Sequence, residues 1–273
     1  KEFDIFAVGD IRNVLVSLSE VEPLIEELLQ YRFNTDNSLN NHPMGNLLLT
    51  ALYNITGNLT ESLRSLSKIF NIKGTILPFT EESPVLIAHT KDGQVIEGES
   101  KITKAGKEID YIEYKEKVKP TKEVIEAIDS ADLIIFGIGS LYTSIIPNLL
   151  SEEVKQSLIS SKAKKMYVCN IMSEHGETDG YKVSDCIKKI NSYVKDNMID
   201  VVVVNNKEVP DGIKDRYKEE TASQIEIDYD TLKDMQVEII EDELLDINDN
   251  LVVRHNPYRT ALDIFNYIVK ELE

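Results

Sequence analysis

The chain has no tryptophan, two cysteines and four histidines in 273 residues. Cys169 and Cys186 follow no disulfide or zinc spacing, and no His/Cys/Asp set has the spacing of a metal site. Unpaired thiols of this kind suit a reducing cytoplasm, which is the expected location. Positive charge is scarce too: 30 Lys and Arg stand against 48 Asp and Glu, a net charge of −18. Nucleic-acid binders need a basic face to neutralise phosphates, and anionic membrane surfaces repel an acidic chain, so neither partner is expected. No apolar run is long enough to span a bilayer, and no signal peptide opens the sequence. A Gly-x-Gly-x-x-Gly segment with a downstream ribose acid is absent, which disfavours a NAD-binding oxidoreductase. There is no internal repeat and no low-complexity segment.

What is present is an ordinary globular composition, 42% hydrophobic, enough for one large α/β domain over residues 1–273. The acidity favours solubility. It still permits a phosphate-bearing ligand, because backbone amides and one or two arginines in a pocket outweigh distant carboxylates screened by salt.

Hydrophobic periodicity predicts two helices over 10–32, broken at Glu22-Pro23, and a third from Pro43 to about Thr56 with Gly57 just past its end. Asn58-x-x-Glu61 reads as a capping box for a helix ending near Gly74. Short strands follow at Thr75–Leu77, Val85–His89, Val95–Glu97, Lys101–Thr103 and Ile109–Tyr114, with a hairpin turn at Asp92-Gly93. This predicts a β-rich insert near 75–118. After Pro120 the rhythm becomes βαβα. Helices at 121–129, 151–158, 184–197 and 213–221 alternate with strands at 132–136, 165–169, 200–204, 236–240 and 250–253. A helix at 258–271 closes the chain. Runs such as Val201–Val204 suit strands buried on both faces, which predicts a Rossmann-like, doubly wound, mostly parallel sheet with helices on both faces.

In such sheets ligands lie beyond the carboxyl ends of the strands. The apolar run from Asp132 stops at Gly137-Ile-Gly139 and continues into Ser140, Leu141, Tyr142, Thr143 and Ser144, with Pro147 opening a helix. Glycines let backbone N–H groups approach an anion, a helix N-terminus adds partial positive charge, and the hydroxyls add donors without bulk. Asn170 and Asn205 stand where strands stop, and each suits either a base or ribose contact or the tying of its own turn. Glu177 and Thr178, followed by Asp179, suit a diol or a helix start. Arg254 leaves an apolar strand and suits a diphosphate or an ion pair. Tyr217 suits a core position or a stacked base. Asp10 suits a helix N-cap, a Mg²⁺ ligand or a base, and Asn46 opens an apolar helix face where Asn is a poor interior residue.

Taken in order, Gly9-Asp-Ile-Arg-Asn13, His42-Pro-Met-Gly-Asn-Leu47, Gly137–Ser144 with Pro147-Asn-Leu149, Asn170-Ile-Met172 with Gly176-Glu-Thr-Asp-Gly180, and Arg254-His255 resemble the CofD-like family. That family includes 2-phospho-lactate transferases and the YvcK branch called gluconeogenesis factors. The Gly-Asp-Ile-Arg-Asn and Gly-Glu-Thr-Asp-Gly forms are more similar to the YvcK branch. Relative to the family pattern, the first strand and glycine-rich loop are missing here, which predicts an open sheet edge.

The resemblance implies a Rossmann-like protein binding a nucleotide sugar, UDP-N-acetylglucosamine, and serving cell-wall precursor supply and cell shape during gluconeogenic growth. An enzyme partner in amino-sugar synthesis would read the signal. The implied ligand residues are Asn13, Asn46, Gly137, Gly139, Ser140, Leu141, Thr143, Ser144, Asn170, Glu177, Thr178, Asn205, Tyr217 and Arg254. The transferase branch implies instead a phospholactyl or phosphoryl-type transfer from a nucleotide diphosphate donor, with Asp10 catalytic and Mg²⁺ as the one cofactor considered. A homodimer is the base-rate expectation.

Overall fold

The computed structural model describes residues 23–35, 39–219 and 221–272. Asp10, Asn13 and the first expected helix lie outside the described residues. The chain divides into two compact units, one holding 23–83 and 119–124, the other 84–118 and 125–272.

The first unit carries three helices, α1 (Pro23–Gln30), α2 (Met44–Thr56) and α3 (Leu59–Ile69). Extended Pro43 precedes α2, and Gly57 at φ +84° ends it by donating to the Tyr53 carbonyl. Asn58 caps α3 by accepting from the Glu61 N–H at 2.8 Å. Glu81 places a carboxylate at the same helix start, accepting from Leu59 N at 2.7 Å and Thr60 N at 3.0 Å, where the helix dipole favours an anion. Leu29, Leu49, Leu63, Leu66 and Phe70 form the core. Two expectations change here. The helix α3 ends at Ile69 rather than near Gly74, because Phe70 caps it and Asn71 turns the chain at φ +46°. Thr75–Leu77 forms no strand: it runs into Pro78 and has no ladder partner among the described residues.

The second unit opens with an antiparallel sheet of β1 (Leu86–Thr90), β2 (Val95–Glu97) and β3 (Ile109–Tyr114), in the order β2-β1-β3. Gly93 at φ +82° makes the expected hairpin turn. Between β2 and β3, Lys101–Thr103 lies within a helix, α4 (Glu99–Ala105), not in a strand. Its β-branched residues resemble a strand, but Ile102 alone is buried, and one inward side chain in seven residues anchors about two helical turns. The insert therefore begins near Pro84 rather than at 75.

After α5 (Lys122–Asp129) comes the parallel sheet, β4 (Leu133–Phe136), then α6 (Glu152–Ser160), β5 (Lys164–Val168), α7 (Val183–Val194), β6 (Val201–Asn205), α8 (Asp211–Glu219), α9 (Tyr229–Asp234) and β7 (Glu238–Asp242). Its order is β4-β5-β6-β7, all parallel. Val201–Val204 are all 1% exposed or less, as a strand covered on both faces requires. The closing helix α10 follows β8 (Leu245–Ile247) and β9 (Val253–His255) and spans Pro257–Leu272. Its Ile264 and Tyr267 pack on Met166, Val168, Val201 and Val203. Tyr167, alternating to the opposite face, meets Cys186 of α7. The fold is thus the expected α/β sheet with helices on both faces.

The last expected strand is corrected. The chain at 250–253 does not extend the parallel sheet: β9 pairs antiparallel with β8 in a separate two-stranded ribbon. Asn248 makes this hairpin, its Oδ1 accepting from the N–H groups of Asn250 at 3.1 Å and Val252 at 2.9 Å, while Leu251 takes φ +60°. Residues at Pro147 likewise form no α-helix start. Leu141–Ile145 is a π-helical turn and Ile146–Leu149 a 3₁₀ turn, with α6 beginning only at Glu152.

Candidate functional site

The carboxyl edge of the parallel sheet gathers three of the expected segments. Gly137–Ser144 leaves β4, Asn170 follows β5, and Asn205 ends β6. The Asn170 side chain crosses to the first of these, Nδ2 donating to the Gly139 carbonyl at 3.2 Å. One residue earlier, the Cys169 carbonyl meets His255 Nε2 at 3.0 Å, which brings the β8–β9 ribbon to the end of β5. Asn205 Oδ1 accepts from Leu245 N at 2.9 Å and holds the same ribbon at the end of β6. The ribbon thus sits on the edge where ligands of such sheets bind.

Hydrogen-bond accounting separates the residues on this edge. Among the described residues, the N–H groups of Ile138, Gly139 and Ser140 make no hydrogen bond. Gly137 and Ile138 are exposed and Gly139 and Ser140 half-buried, so the loop reaches solvent. The loop that offers them is pinned at both ends. Asn170 holds the Gly139 carbonyl, and Glu177 accepts from Tyr142 N at 2.8 Å and Thr143 Oγ1 at 3.0 Å. The first turn after the loop is a π-turn, with both Ser144 N and Ile145 N donating to the Ser140 carbonyl. Gly139 is required sterically, since a Cβ there would lie 2.8 Å from Ser144 Cβ. At Gly137 a Cβ would meet nothing within 4 Å, so that position opens onto free space.

Glu177 is therefore a buried clamp, 3% exposed, rather than a surface acceptor for a diol. Burial raises its pKa from 4.5 to about 7 and Glu174 adds to the rise, while the bonds from Tyr142 and Thr143 oppose it. Thr178 closes the Glu174 turn, its Oγ1 accepting from Glu174 N at 2.8 Å. Gly176, at φ +84°, lies against the backbone of Gly106, where a Cβ would come within 2.8 Å. Its carbonyl accepts from Ile109 N at 3.0 Å and ties the antiparallel insert to this loop.

Asn205 spends its amide on structure: Nδ2 donates to the Lys207 carbonyl at 2.7 Å, and Oδ1 also accepts from Lys207 N at 3.3 Å. Asn170 Oδ1 is buried without a partner and shares with Asn205 a cavity of about 10 Å³, room for one water. Leu141 is 2% exposed and faces the core, and Ser144 is hydrogen-bonded. Arg254 lies within β9, exposed and on the face opposite His255, and forms no ion pair among the described residues. Tyr217 packs with Ile171, Val209 and Val253, and its hydroxyl accepts from Val253 N at 3.0 Å, beside Arg254. His255, which sequence reasoning placed in the motif without a role, docks the ribbon. Burial lowers its pKa, so it is neutral at pH 7 and Nε2 donates to the Cys169 carbonyl. Asn46 belongs to the first unit, where its Oδ1 is buried and unpartnered. That unit also holds a cavity of about 430 Å³ lined by Arg64, Ser67, Lys68 and Gly74–Leu77.

A family model described as 2-phospho-L-lactate transferase CofD matches residues 1–245. The chain belongs to the CofD family. Within it, the chain is similar to the gluconeogenesis factor of Bacillus subtilis, 43% identical over 254 residues, covering 93% of this chain and 80% of that protein. The gluconeogenesis factor of Halalkalibacterium halodurans is 42% identical over 96% of this chain and 81% of its own length. Among solved structures, protein BH3568 from Bacillus halodurans superposes with a TM-score of 0.92 at 41% identity, over 97% of this chain and 85% of that one. These relatives place this CofD-family chain in the gluconeogenesis-factor branch. No helix among its described residues is long and apolar enough to cross a membrane.

Proposed function

We propose that this CofD-family protein binds a nucleotide sugar, UDP-N-acetylglucosamine, at the carboxyl edge of its parallel sheet. The observation that carries the reading is the run of N–H groups at Ile138, Gly139 and Ser140 with no partner among the described residues, on a loop held from both sides. Three successive amides on a pinned loop suit a diphosphate, because the donors need little reorganisation when the anion arrives. In this reading Arg254, exposed on the docked ribbon, donating to the Val253 carbonyl at 3.4 Å and in no ion pair among the described residues, supplies the permanent charge. Asn170, Glu177, Asn205 and Tyr217 act behind them by fixing the loop and the ribbon. The naming of the relatives supports a role in gluconeogenic growth. We place the protein in the cytoplasm, reporting precursor supply to an amino-sugar enzyme and so affecting cell shape.

A thermal-shift titration tests the reading. At about a hundred times Kd, UDP-N-acetylglucosamine should stabilise the fold by roughly 2.7 kcal/mol. Arg254→Ala should remove most of the shift. No shift with UDP-sugars would overturn the reading, and an unchanged shift in the variant would make Arg254 a structural residue.

The family description favours a second reading, a phosphoryl-type transferase. Its candidate Mg²⁺ ligand, Asp10, lies outside the described residues, and among these no three His, Cys, Asp or Glu side chains converge on a metal site. Donor turnover that Asp10→Asn abolishes would favour this reading, and turnover that survives the substitution would remove Asp10 from it.

A further inference from the structure

The buried carboxyl of Glu177 stands close behind the loop that offers its amides. Glu177 Oε2 accepts from Tyr142 N at 2.8 Å, and Tyr142 follows Ser140, the last of the three loop donors, by two residues. Two residues span at most about 7 Å, so the carboxyl lies within roughly 10 Å of that donor. A diphosphate held at Ile138–Ser140 therefore brings two negative charges near a group that can itself be negative. Glu177 is buried, so water screens the repulsion poorly.

The surroundings give that charge no relief. Glu177 forms no ion pair among the described residues, and in its own turn Glu174 adds a like charge while His175 pairs with Asp179 at 3.2 Å. On the π-turn side it meets Tyr142 and Thr143. Around Tyr142 stand Tyr181, Tyr193 of α7 and Asp110 of β3. Lys189 of α7 lies 5.6 Å from the centre of the Tyr142 ring and donates to the Asp110 carbonyl at 3.3 Å. Beside Gly106, Lys107 and Glu108 pair with Asp92 and Lys91. The charged residues of α4, Glu99, Lys101 and Lys104, are exposed. The clamp itself suits both forms of the carboxyl. Oε2 accepts from Tyr142 N in either form. Oε1 accepts from Thr143 Oγ1 at 3.0 Å when ionised, and when protonated it donates to the same hydroxyl. Burial and Glu174 place the ionisation at about pH 7, so both forms are within reach.

We propose that the loop takes up a proton together with its ligand: a dianionic diphosphate ester at Ile138–Ser140 drives Glu177 into its neutral form, and affinity falls as pH rises through neutrality. This rests on the nucleotide-sugar reading and adds a proton to it as a second ligand. Both phosphates of a UDP-sugar are esterified on two sides and carry one charge each, with no ionisation near neutral pH, so the proton goes to the protein. Below pH 7 Glu177 is already largely neutral and binding moves little charge. Above it the proton comes from solvent, and affinity declines towards tenfold per pH unit.

Calorimetric titration of the full chain with UDP-N-acetylglucosamine at about pH 7.5, once in HEPES and once in Tris, reads the proton from the difference in heat, because the two buffers release protons with different enthalpies. Two charges at this separation strengthen proton binding about thirtyfold, which gives an uptake of about 0.7 proton per ligand and a Kd about fourfold weaker one pH unit higher. Glu177→Gln, whose amide makes the same two bonds as the neutral carboxyl, should bind with no uptake and a Kd that stays constant over this range. Glu174→Gln, which removes the neighbouring charge, should keep the uptake and move its pH profile to lower values. Binding by the wild type without uptake, uptake of equal size in Glu177→Gln, or an unmoved profile in Glu174→Gln would each overturn the proton linkage while leaving the ligand in place. No binding in either buffer would overturn the nucleotide-sugar reading, and the linkage with it.

Discussion

The strands β4 and β6 end at the same edge of the same sheet, and they end differently. Beyond β4 the backbone leaves three N–H groups without partners among the described residues, and the residues around the loop hold it in that state. Beyond β6, Asn205 satisfies its own turn and the neighbouring ribbon with three hydrogen bonds. Polar residues at a strand end are thus no sign of a binding site by themselves. An unsatisfied loop with rigid supports is, because leaving donors to water while fixing their geometry has a cost that folding alone does not recover.

The largest effect in that contrast should come from Asn205→Ala. It leaves Lys207 N and Leu245 N without their partner, and the Lys207 carbonyl with Gln224 Nε2 alone. A loss of about 2–4 kcal/mol in urea unfolding is expected, with the stabilisation by ligand unchanged in size. A ligand shift abolished along with the stability would erase the distinction between the two strand ends. Gly139→Val should show the converse. Its Cβ would collide with Ser144, costing roughly 1–3 kcal/mol, and the ligand-induced shift should vanish. Gly137→Ala, which meets nothing, is the matched control and should leave the melting temperature within the scatter of wild type.

The last effect is a pH dependence and concerns Glu177, the clamp behind the open loop. Its folded pKa is about 7 against an ordinary 4.5, raised first by burial. Between these values the native state holds more protons than the unfolded one, so stability falls as pH rises through this window. The slope approaches about 1.4 kcal/mol per pH unit. Glu177→Gln should flatten it. Urea midpoints at pH 5 and pH 7.5 that differ equally in wild type and variant would show that Glu177 titrates normally.

Most of the parallel sheet was legible because its strands are long apolar runs that no helix period fits, as Val201–Val204 shows. The errors fall where local pattern and tertiary context disagree. Lys101–Thr103 has the β-branched residues of a strand, and only the flanking Gly98 and Gly106, at φ +96° and +54°, mark a short helix. The segment at 250–253 looks like one more sheet strand. The Asn248 turn that folds it back on β8 was the available signal, and β8 itself, with Asp246 at its centre, carries almost none. At the site, the glycine loop was legible as a motif. The division of labour around it was not, since the same residue type serves as an amide spent on its own turn at Asn205 and as a brace for Gly139 at Asn170. Spacing gives no sign of the Glu177 clamp, which joins positions 35 residues apart.

The contact between Gly106 and Gly176 makes the antiparallel insert inseparable from the sheet it accompanies. Two backbones touch there with no side chain between them, and the loop that bears Glu177 leans on that contact. Trimming the protein to its parallel sheet by excising the hairpin would remove the back wall of that loop. A minimal version of this fold must therefore keep the insert.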